Sequence, residues 1–231
     1  MSHDGRRTAV LAIDTATSQV LVATGTPEGD LTGLTTWAAG YRHGETLLPT
    51  IARHLGENNL RRSRLAGIIV GTGPGAFTGL RVGIATAKGL AHGLGRPIVG
   101  VSTGEALLAA AAWHEGLPIG AFVLLLPAGP TDRVVVRHGA SPSRLPGGTE
   151  PEIEIGERLV AVDLDGRAPR DAVARGTAAR DRLGAELVRI GADRLARGEA
   201  DDLAELVPEY VTLPRGVAAT SGEVSWSHDL R

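Results

Sequence analysis

Ser102 lies in the pentapeptide GVSTG, which matches the Gly-x-Ser-x-Gly pattern that presents a nucleophilic serine between a strand and a helix. A hydrolytic triad would also need an acid and then a histidine later in the chain. The acids are Asp132 or Asp163, and the histidines that follow are His138 and His228, of which only His228 comes after Asp163. No His-Gly oxyanion motif precedes the serine. A serine hydrolase therefore remains one alternative function.

A second polar group is the segment DTATS at 14–18, which places Asp14, Thr15 and Thr17 between two apolar runs. A carboxylate beside hydroxyls on a hairpin can hold a phosphate and its metal ion. The same residue types also form Asx and ST turns without any ligand. We therefore expect no obligatory cofactor and treat these three residues as a weak candidate site for ATP or ADP.

The glycine-rich segment that begins at Gly71 resembles a nucleotide loop, because Gly71-x-Gly73-x-x-Ala76 lies between an apolar run and a helical pattern. A dinucleotide site also needs an acidic residue at the end of the next strand, and that strand ends in Ser102. A Walker loop needs Gly-Lys-Ser/Thr, whereas Lys88 lies well down the helix. Neither type of nucleotide loop is predicted.

Small residues recur at every fourth position after this loop, at Gly79, Gly83, Ala87 and Ala91. On a helix they form a stripe without bulk, along which another backbone can approach closely. The stripe either packs inside the monomer or forms a subunit interface. If it forms an interface, Gly83→Leu should abolish association and leave the monomer folded. The residues assigned to this interface, on this helix and the next, are Phe77, Gly79, Leu80, Gly83, Ile84, Ala87, Ala91, Thr103, Leu107 and Ala110.

The elements that must position these residues follow from hydrophobic periodicity and from glycine and proline breaks. The first half predicts β-β-β-α-β-α-β-α, a mixed sheet with helices on its faces, with strands at 8–13, 19–25, 31–37, 66–70 and 97–101 and helices at 45–55, 77–94 and 104–114. The second half predicts a hairpin at 121–126 and 133–138, a loop at 141–151, strands at 153–155 and 159–162, one or two helices within 170–197 and an extended segment at 206–216. We divide the chain into subdomains 1–102 and 103–231, with a loose tail from about 217.

Composition limits the possible functions. The 231 residues carry a formal net charge of -2, which favours neither a large nucleic-acid footprint nor an anionic membrane surface. The chain has no cysteine, and its histidines and acids show no metal-ligand spacing. No apolar run approaches the length of a membrane span and no secretory segment is present, so we expect a cytoplasmic protein.

Four segments together resemble the bacterial TsaB family in order and spacing: LAIDTATSQVLVA, HGETLLP, GTGPGAFTGLRVGIATAKGLA and VGVSTGEAL. TsaB is the dimerisation subunit of the machinery that makes threonylcarbamoyladenosine in tRNA. The resemblance covers about residues 9–108, and the later PEYV at 208–211 is similar to the family's Pro-x-Tyr ending. It implies an actin-like, ribonuclease-H-like ATPase fold with two related subdomains.

The resemblance also implies a non-catalytic role. The related subunit TsaD transfers threonylcarbamoyl to the tRNA adenosine beside the anticodon and uses a metal-binding His-x-x-x-His, whose positions correspond here to Thr103 and Leu107. Neither side chain can replace an imidazole, so the resemblance implies no metal and no catalytic residue. DTATS also lacks the glycine of the superfamily's Asp-x-Gly-Thr phosphate loop, although a free-standing actin-like ATPase remains a second alternative.

The partners implied by the resemblance are TsaD, the ATPase TsaE as third component of the complex, and a second copy of the chain when it is alone. The family associates through the helix after the Gly-Pro-Gly loop and its neighbour, which favours the interface explanation of the small stripe. Contact with tRNA is expected only through the complex, and no contact with a membrane is expected.

Overall fold

The structure is a computed structural model, and it describes residues 8–38 and 43–211. Within these ranges the chain forms nine strands, four α-helices and two short 3-10 helices. In chain order the strands and α-helices are β1 (Ala9–Asp14), β2 (Gln19–Gly25), β3 (Leu31–Ala38), α1 (His43–Glu57), β4 (Leu65–Gly73), α2 (Phe77–Leu94), β5 (Ile98–Ser102), α3 (Thr103–Glu115), β6 (Phe122–Ala128), β7 (Asp132–Arg137), β8 (Ser143–Leu145), β9 (Arg158–Ala161) and α4 (Arg170–Ala196).

The first sheet has five strands in the order β3-β2-β1-β4-β5. The neighbours β3, β2 and β1 are antiparallel, whereas β1, β4 and β5 run parallel to one another. All six residues of β1 are buried, because helices cover both faces of the sheet. Helices α1 and α2 pack on one face, where Leu47, Ile51 and Ile84 share a core with the strands.

The second sheet has four strands in the order β8-β7-β6-β9 and is also mixed. Helices α3 and α4 lie between the two sheets and contact both. One core cluster therefore contains residues from the first sheet, from both helices and from the second sheet, including Val99, Leu107, Phe122 and Leu187. This mixed α/β architecture confirms the predicted fold class. The division at residue 102 stays a prediction.

Two predictions in the second half are wrong. The segment 153–155 forms no strand, and its Ile155 is fully exposed at 107%. The predicted loop 141–151 contains the short strand β8, which pairs with β7. The predicted tail from about 217, with His228, lies outside the described residues. None of the helices in the described part of the chain is long and apolar enough to cross a membrane.

Candidate functional site

Asp14 lies at the carboxyl end of β1, fully buried beneath the loop that joins β4 to α2. Its Oδ1 accepts a hydrogen bond from the backbone N–H of Ala16 at 2.9 Å, and its Oδ2 accepts one from Thr103 Oγ1 at 2.6 Å. Thr103 Oγ1 in turn accepts the backbone N–H of Gly73 at 3.2 Å. Burial raises the pKa of Asp14 to about 6, although the bonds from Thr103 and Ala16 lower it.

The two threonines of the hairpin are equally enclosed. Thr15 Oγ1 donates to the carbonyl of Gly79 at 2.8 Å, and Thr17 Oγ1 donates to the carbonyl of Gln19 at 2.9 Å. Their exposed fractions are 1% and 3%. The structure thus brings Asp14, Thr15 and Thr17 together, but their polar groups point into the protein. A phosphate would have to displace these bonds, so nucleotide binding here stays a prediction.

The small stripe of α2 faces the chain's own hairpin, which corrects the predicted interface. A Cβ on Gly79 would lie well inside 3.0 Å of the carbonyl oxygen of Thr15, and one on Gly83 would overlap the Thr15 side chain. Ala87 and Ala91 are buried at 0% and 1% exposure. The stripe is small because the β1–β2 hairpin approaches it closely. It is therefore not a surface that a partner can reach.

The α3 residues of the predicted interface are corrected in the same way. Thr103, Leu107 and Ala110 are all fully buried, because α3 lies between the two sheets. Leu80 and Ile84 are also buried, so nine of the ten assigned residues are inaccessible and only Phe77 is half-buried. In the part of the chain that the structure describes, no group of three histidines or acids could hold a metal ion.

Ser102 caps the N-terminus of α3. Its Oγ lies 3.4 Å from the backbone nitrogen of Glu105, 3.1 Å from the carbonyl oxygen of Gly73 and 3.3 Å from Glu209 Oε2. His138 contacts Glu105 instead, through Nδ1 and Oε2 at 2.7 Å. The predicted acids are engaged elsewhere: Asp132 binds Arg144 and Asp163 binds Ser18 and Arg180. No triad forms around this serine among the described residues.

We expect a fluorophosphonate probe to leave Ser102 unlabelled, because its hydroxyl contacts a backbone carbonyl and the Glu209 carboxylate, whereas His138 binds Glu105 instead. Ser102→Ala should instead lower the free energy of unfolding by about 1 kcal/mol through loss of the helix cap. Intact mass after incubation with the probe and urea unfolding measure the two effects. Labelling of the wild type that disappears in Ser102→Ala would restore the hydrolase alternative.

Sequence reasoning predicted an extended segment at 206–216 but not its position. Residues 201–211 run along the edge of β5 from Ile98 and reach the carboxyl ends of β4 and β5 at Glu209. The backbone N–H of Glu209 donates to the carbonyl of Thr72 at 2.8 Å. The Tyr210 ring packs 5.0 Å from the Phe77 ring, and Tyr210 Oη accepts from Arg81 Nε at 2.8 Å. Partial burial raises the pKa of Glu209, and the negative charge of Glu105 adds to this effect. The sequence signals for this segment were the extended pattern at 206–216 and the PEYV similarity at 208–211.

The accessible side of α2 is the opposite one. Ala85, Gly89 and Gly93 are exposed there at intervals of four residues, with Arg81 in the preceding turn. A Cβ on Gly89 or Gly93 would meet nothing within 4 Å. The helix therefore carries two small stripes, one packed against the hairpin and one flat and open to solvent.

Comparisons with known proteins agree with this architecture. A family model described as TsaD, tRNA N6-adenosine threonylcarbamoyltransferase, matches residues 33–162. TsaB from Escherichia coli is 35% identical over 109 residues, which is 46% of this chain and 45% of the relative. An uncharacterised protein from Mycobacterium leprae is 41% identical over 102 residues, 42% of this chain and 28% of that protein.

The structure of YeaZ from Pseudomonas aeruginosa superposes with a TM-score of 0.65 at 25% identity and covers 88% of this chain and 99% of that one. The alignments to the curated relatives span less than half the length of each of these two proteins. The matches confirm the TsaB resemblance that the four sequence segments indicated. The chain therefore belongs to the family of TsaD, the tRNA N6-adenosine threonylcarbamoyltransferase, and TsaB proteins are its named relatives within it.

Proposed function

We propose that this chain is a TsaB-type accessory subunit that binds TsaD and supports formation of threonylcarbamoyladenosine in tRNA. It contributes a surface and no catalytic residue. The observation that carries this proposal is that each candidate reactive group is held by hydrogen bonds within the fold. Asp14, Thr15 and Thr17 are bonded inside the fold, and Ser102 caps a helix.

The positions that correspond to the metal-binding histidines of TsaD support the same proposal. They hold Thr103, whose hydroxyl is bonded to Asp14, and Leu107, which is buried in the core between the sheets. Neither side chain offers a metal ligand of the imidazole type. The proposed subunit has no obligatory cofactor, and weak ATP or ADP binding would require the hairpin to open.

The partner surface in this proposal is the exposed stripe of α2. Ala85, Gly89 and Gly93 present no bulk, so a partner helix can approach at the short interaxial distance that small residues permit. Helix α1 packs beside α2 and adds Leu48, which is 52% exposed. A face formed by two helices suits a helix pair of TsaD or of a second copy of this chain. In the proposed assembly TsaE joins as the third component, and tRNA is contacted only through the complex.

Ala85→Arg tests the proposed surface. The long charged side chain should keep the partner helix away and weaken TsaD binding at least about tenfold, because even one lost close contact of about 1.4 kcal/mol has that effect. Ala174→Arg is the matched control, since Ala174 is an exposed alanine on α4. Binding to TsaD is measured by calorimetry and by co-elution. Wild-type affinity in a folded Ala85→Arg variant would contradict the proposed surface.

A further inference from the structure

The guanidinium of Arg81 is held from two directions, although the residue is exposed on α2. Its Cζ lies 3.9 Å from the centre of the Phe77 ring, and its Nε donates to Tyr210 Oη at 2.8 Å. The rings of Phe77 and Tyr210 pack against each other with 5.0 Å between their centres. The segment 201–211, which carries Tyr210, therefore fixes the position of an arginine on the helix surface.

This side of α2 carries positive charge without a matching negative charge. Among the described residues neither Arg81 nor Lys88 forms an ion pair, and the two terminal nitrogens of Arg81 have no hydrogen-bond partner. The carboxylate of Glu209, next to Tyr210 in the chain, contacts Ser102 Oγ instead, at 3.3 Å. The 18 residues of α2 include no acid. The helix is thus locally basic in a chain whose formal net charge is -2.

The two cations share one side of the helix. Arg81 and Lys88 are seven residues apart, which is about two helical turns or about 10.5 Å along the axis. The open stripe of Ala85, Gly89 and Gly93 runs beside them. A partner helix that lies along this stripe would therefore pass both cations.

We propose that Arg81 and Lys88 bind two carboxylates, about two turns apart, on a helix of TsaD, and that Tyr210 is a positioning residue for Arg81. With one face against Phe77 and Nε occupied by Tyr210, the guanidinium presents its terminal nitrogens as a fork. Such a fork binds a carboxylate through two parallel hydrogen bonds. The inference rests on the proposed function, because it names the chemistry of the partner at the same surface.

Two other occupants fit the charge less well. A second copy of α2 is equally basic, so like charges would meet if α2 packed against α2, and such contacts disfavour a partner. The phosphates of RNA would attract the same cations, but two cations make a small footprint and the net charge of the chain opposes nucleic-acid binding. An acidic helix matches both the charge and the open stripe beside it.

Charge reversal in the full chain tests the carboxylates. Arg81→Glu and Lys88→Glu should each weaken TsaD binding about tenfold or more, because like charges then face each other. Arg170→Glu is the matched control, at an exposed arginine at the start of α4, and should leave binding unchanged. Calorimetry measures the affinities, and circular dichroism checks that each variant is folded.

Salt provides a second measurement of the same contacts. Raising the salt from about 0.05 M to about 0.5 M should weaken TsaD binding by the wild type, because salt screens exposed charges. The double variant Arg81→Gln, Lys88→Gln should lose much less affinity over this range. An equal salt dependence of the two proteins would contradict the proposed ion pairs.

The role of Tyr210 needs a test that a purely structural effect would not pass. Tyr210→Phe removes only the acceptor of the Arg81 Nε–H bond and should weaken TsaD binding about threefold. In a chain that already carries Arg81→Gln, the same change should have no further effect, because the arginine to be positioned is gone. Equal losses in both backgrounds would show that Tyr210 does not act through Arg81.

Gly89→Leu separates this inference from the proposed function, because it adds bulk to the open stripe without changing its charge. If Gly89→Leu weakens TsaD binding while both charge reversals keep wild-type affinity, the inference is overturned and the proposed function stands. A wild-type chain that does not bind TsaD would overturn both. Charge reversals that reduce binding of tRNA to the free chain, but not binding to TsaD, would assign the cations to RNA and overturn the inference.

Discussion

Gly79→Ala is expected to lower the free energy of unfolding by about 3 kcal/mol, at the upper end of the usual cost of overpacking. The added Cβ would overlap the carbonyl oxygen of Thr15, which is backbone and cannot rotate away. Either the β1–β2 hairpin or α2 must then shift. The shift would also weaken the bond from Thr15 Oγ1 to the carbonyl of Gly79, whose length is 2.8 Å. Urea unfolding of the two proteins measures the loss.

The same helix provides the control. Gly89→Ala adds a methyl group where nothing lies within 4 Å, so the higher helix propensity of alanine should raise the free energy of unfolding by up to about 1 kcal/mol. Opposite changes in the free energy of unfolding at Gly79 and Gly89 would show that only the stripe containing Gly79 is packed inside the monomer. Equal effects would contradict this packing. Gly83→Leu, suggested by the sequence as a test of association, therefore tests folding instead.

Asp14→Asn is expected to change how stability depends on pH. The pKa of Asp14 is about 6 in the folded chain and 3.8 as an unperturbed group, so the folded state holds a proton that the unfolded chain releases. Its contribution to stability is fully present below about pH 4 and is lost as pH rises through about 6, a change of about 3 kcal/mol. Asparagine does not ionise. The free energy of unfolding of the variant, relative to that of the wild type, should therefore rise between pH 4 and pH 7.

Urea unfolding at pH 4.5 and pH 8 tests this sign. The difference in stability, Asp14→Asn minus wild type, should be more favourable at pH 8. Thr103→Val provides a second variant, because it removes the hydrogen bond that lowers the pKa of Asp14 and should move the loss of stability to higher pH. A stability difference that is the same at both pH values would mean that Asp14 does not titrate in this window.

The order and type of the secondary-structure elements in the first half could be predicted from the sequence. Strand β2 and helix α2 begin and end where periodicity and glycine breaks predicted, because both signals act over a few neighbouring residues. The elements of the second half were harder to predict, because strands of three or four residues, such as β8 and β9, are too short to show a clear alternation of apolar and polar residues. The family was also readable, because it rests on local motifs and their spacing.

Which side of α2 is buried could be decided only by the tertiary structure. The helix carries small residues at intervals of four on two sides, so spacing alone could not separate Gly79 and Gly83 from Ala85 and Gly89. The choice depends on the hairpin at Thr15, which is 64 residues from Gly79 in the chain. The approach of Glu209 to Ser102 spans 107 residues. The sequence by itself therefore determined the elements of the first half and the family, whereas long-range packing decided which residues are buried inside the fold and which are open to solvent.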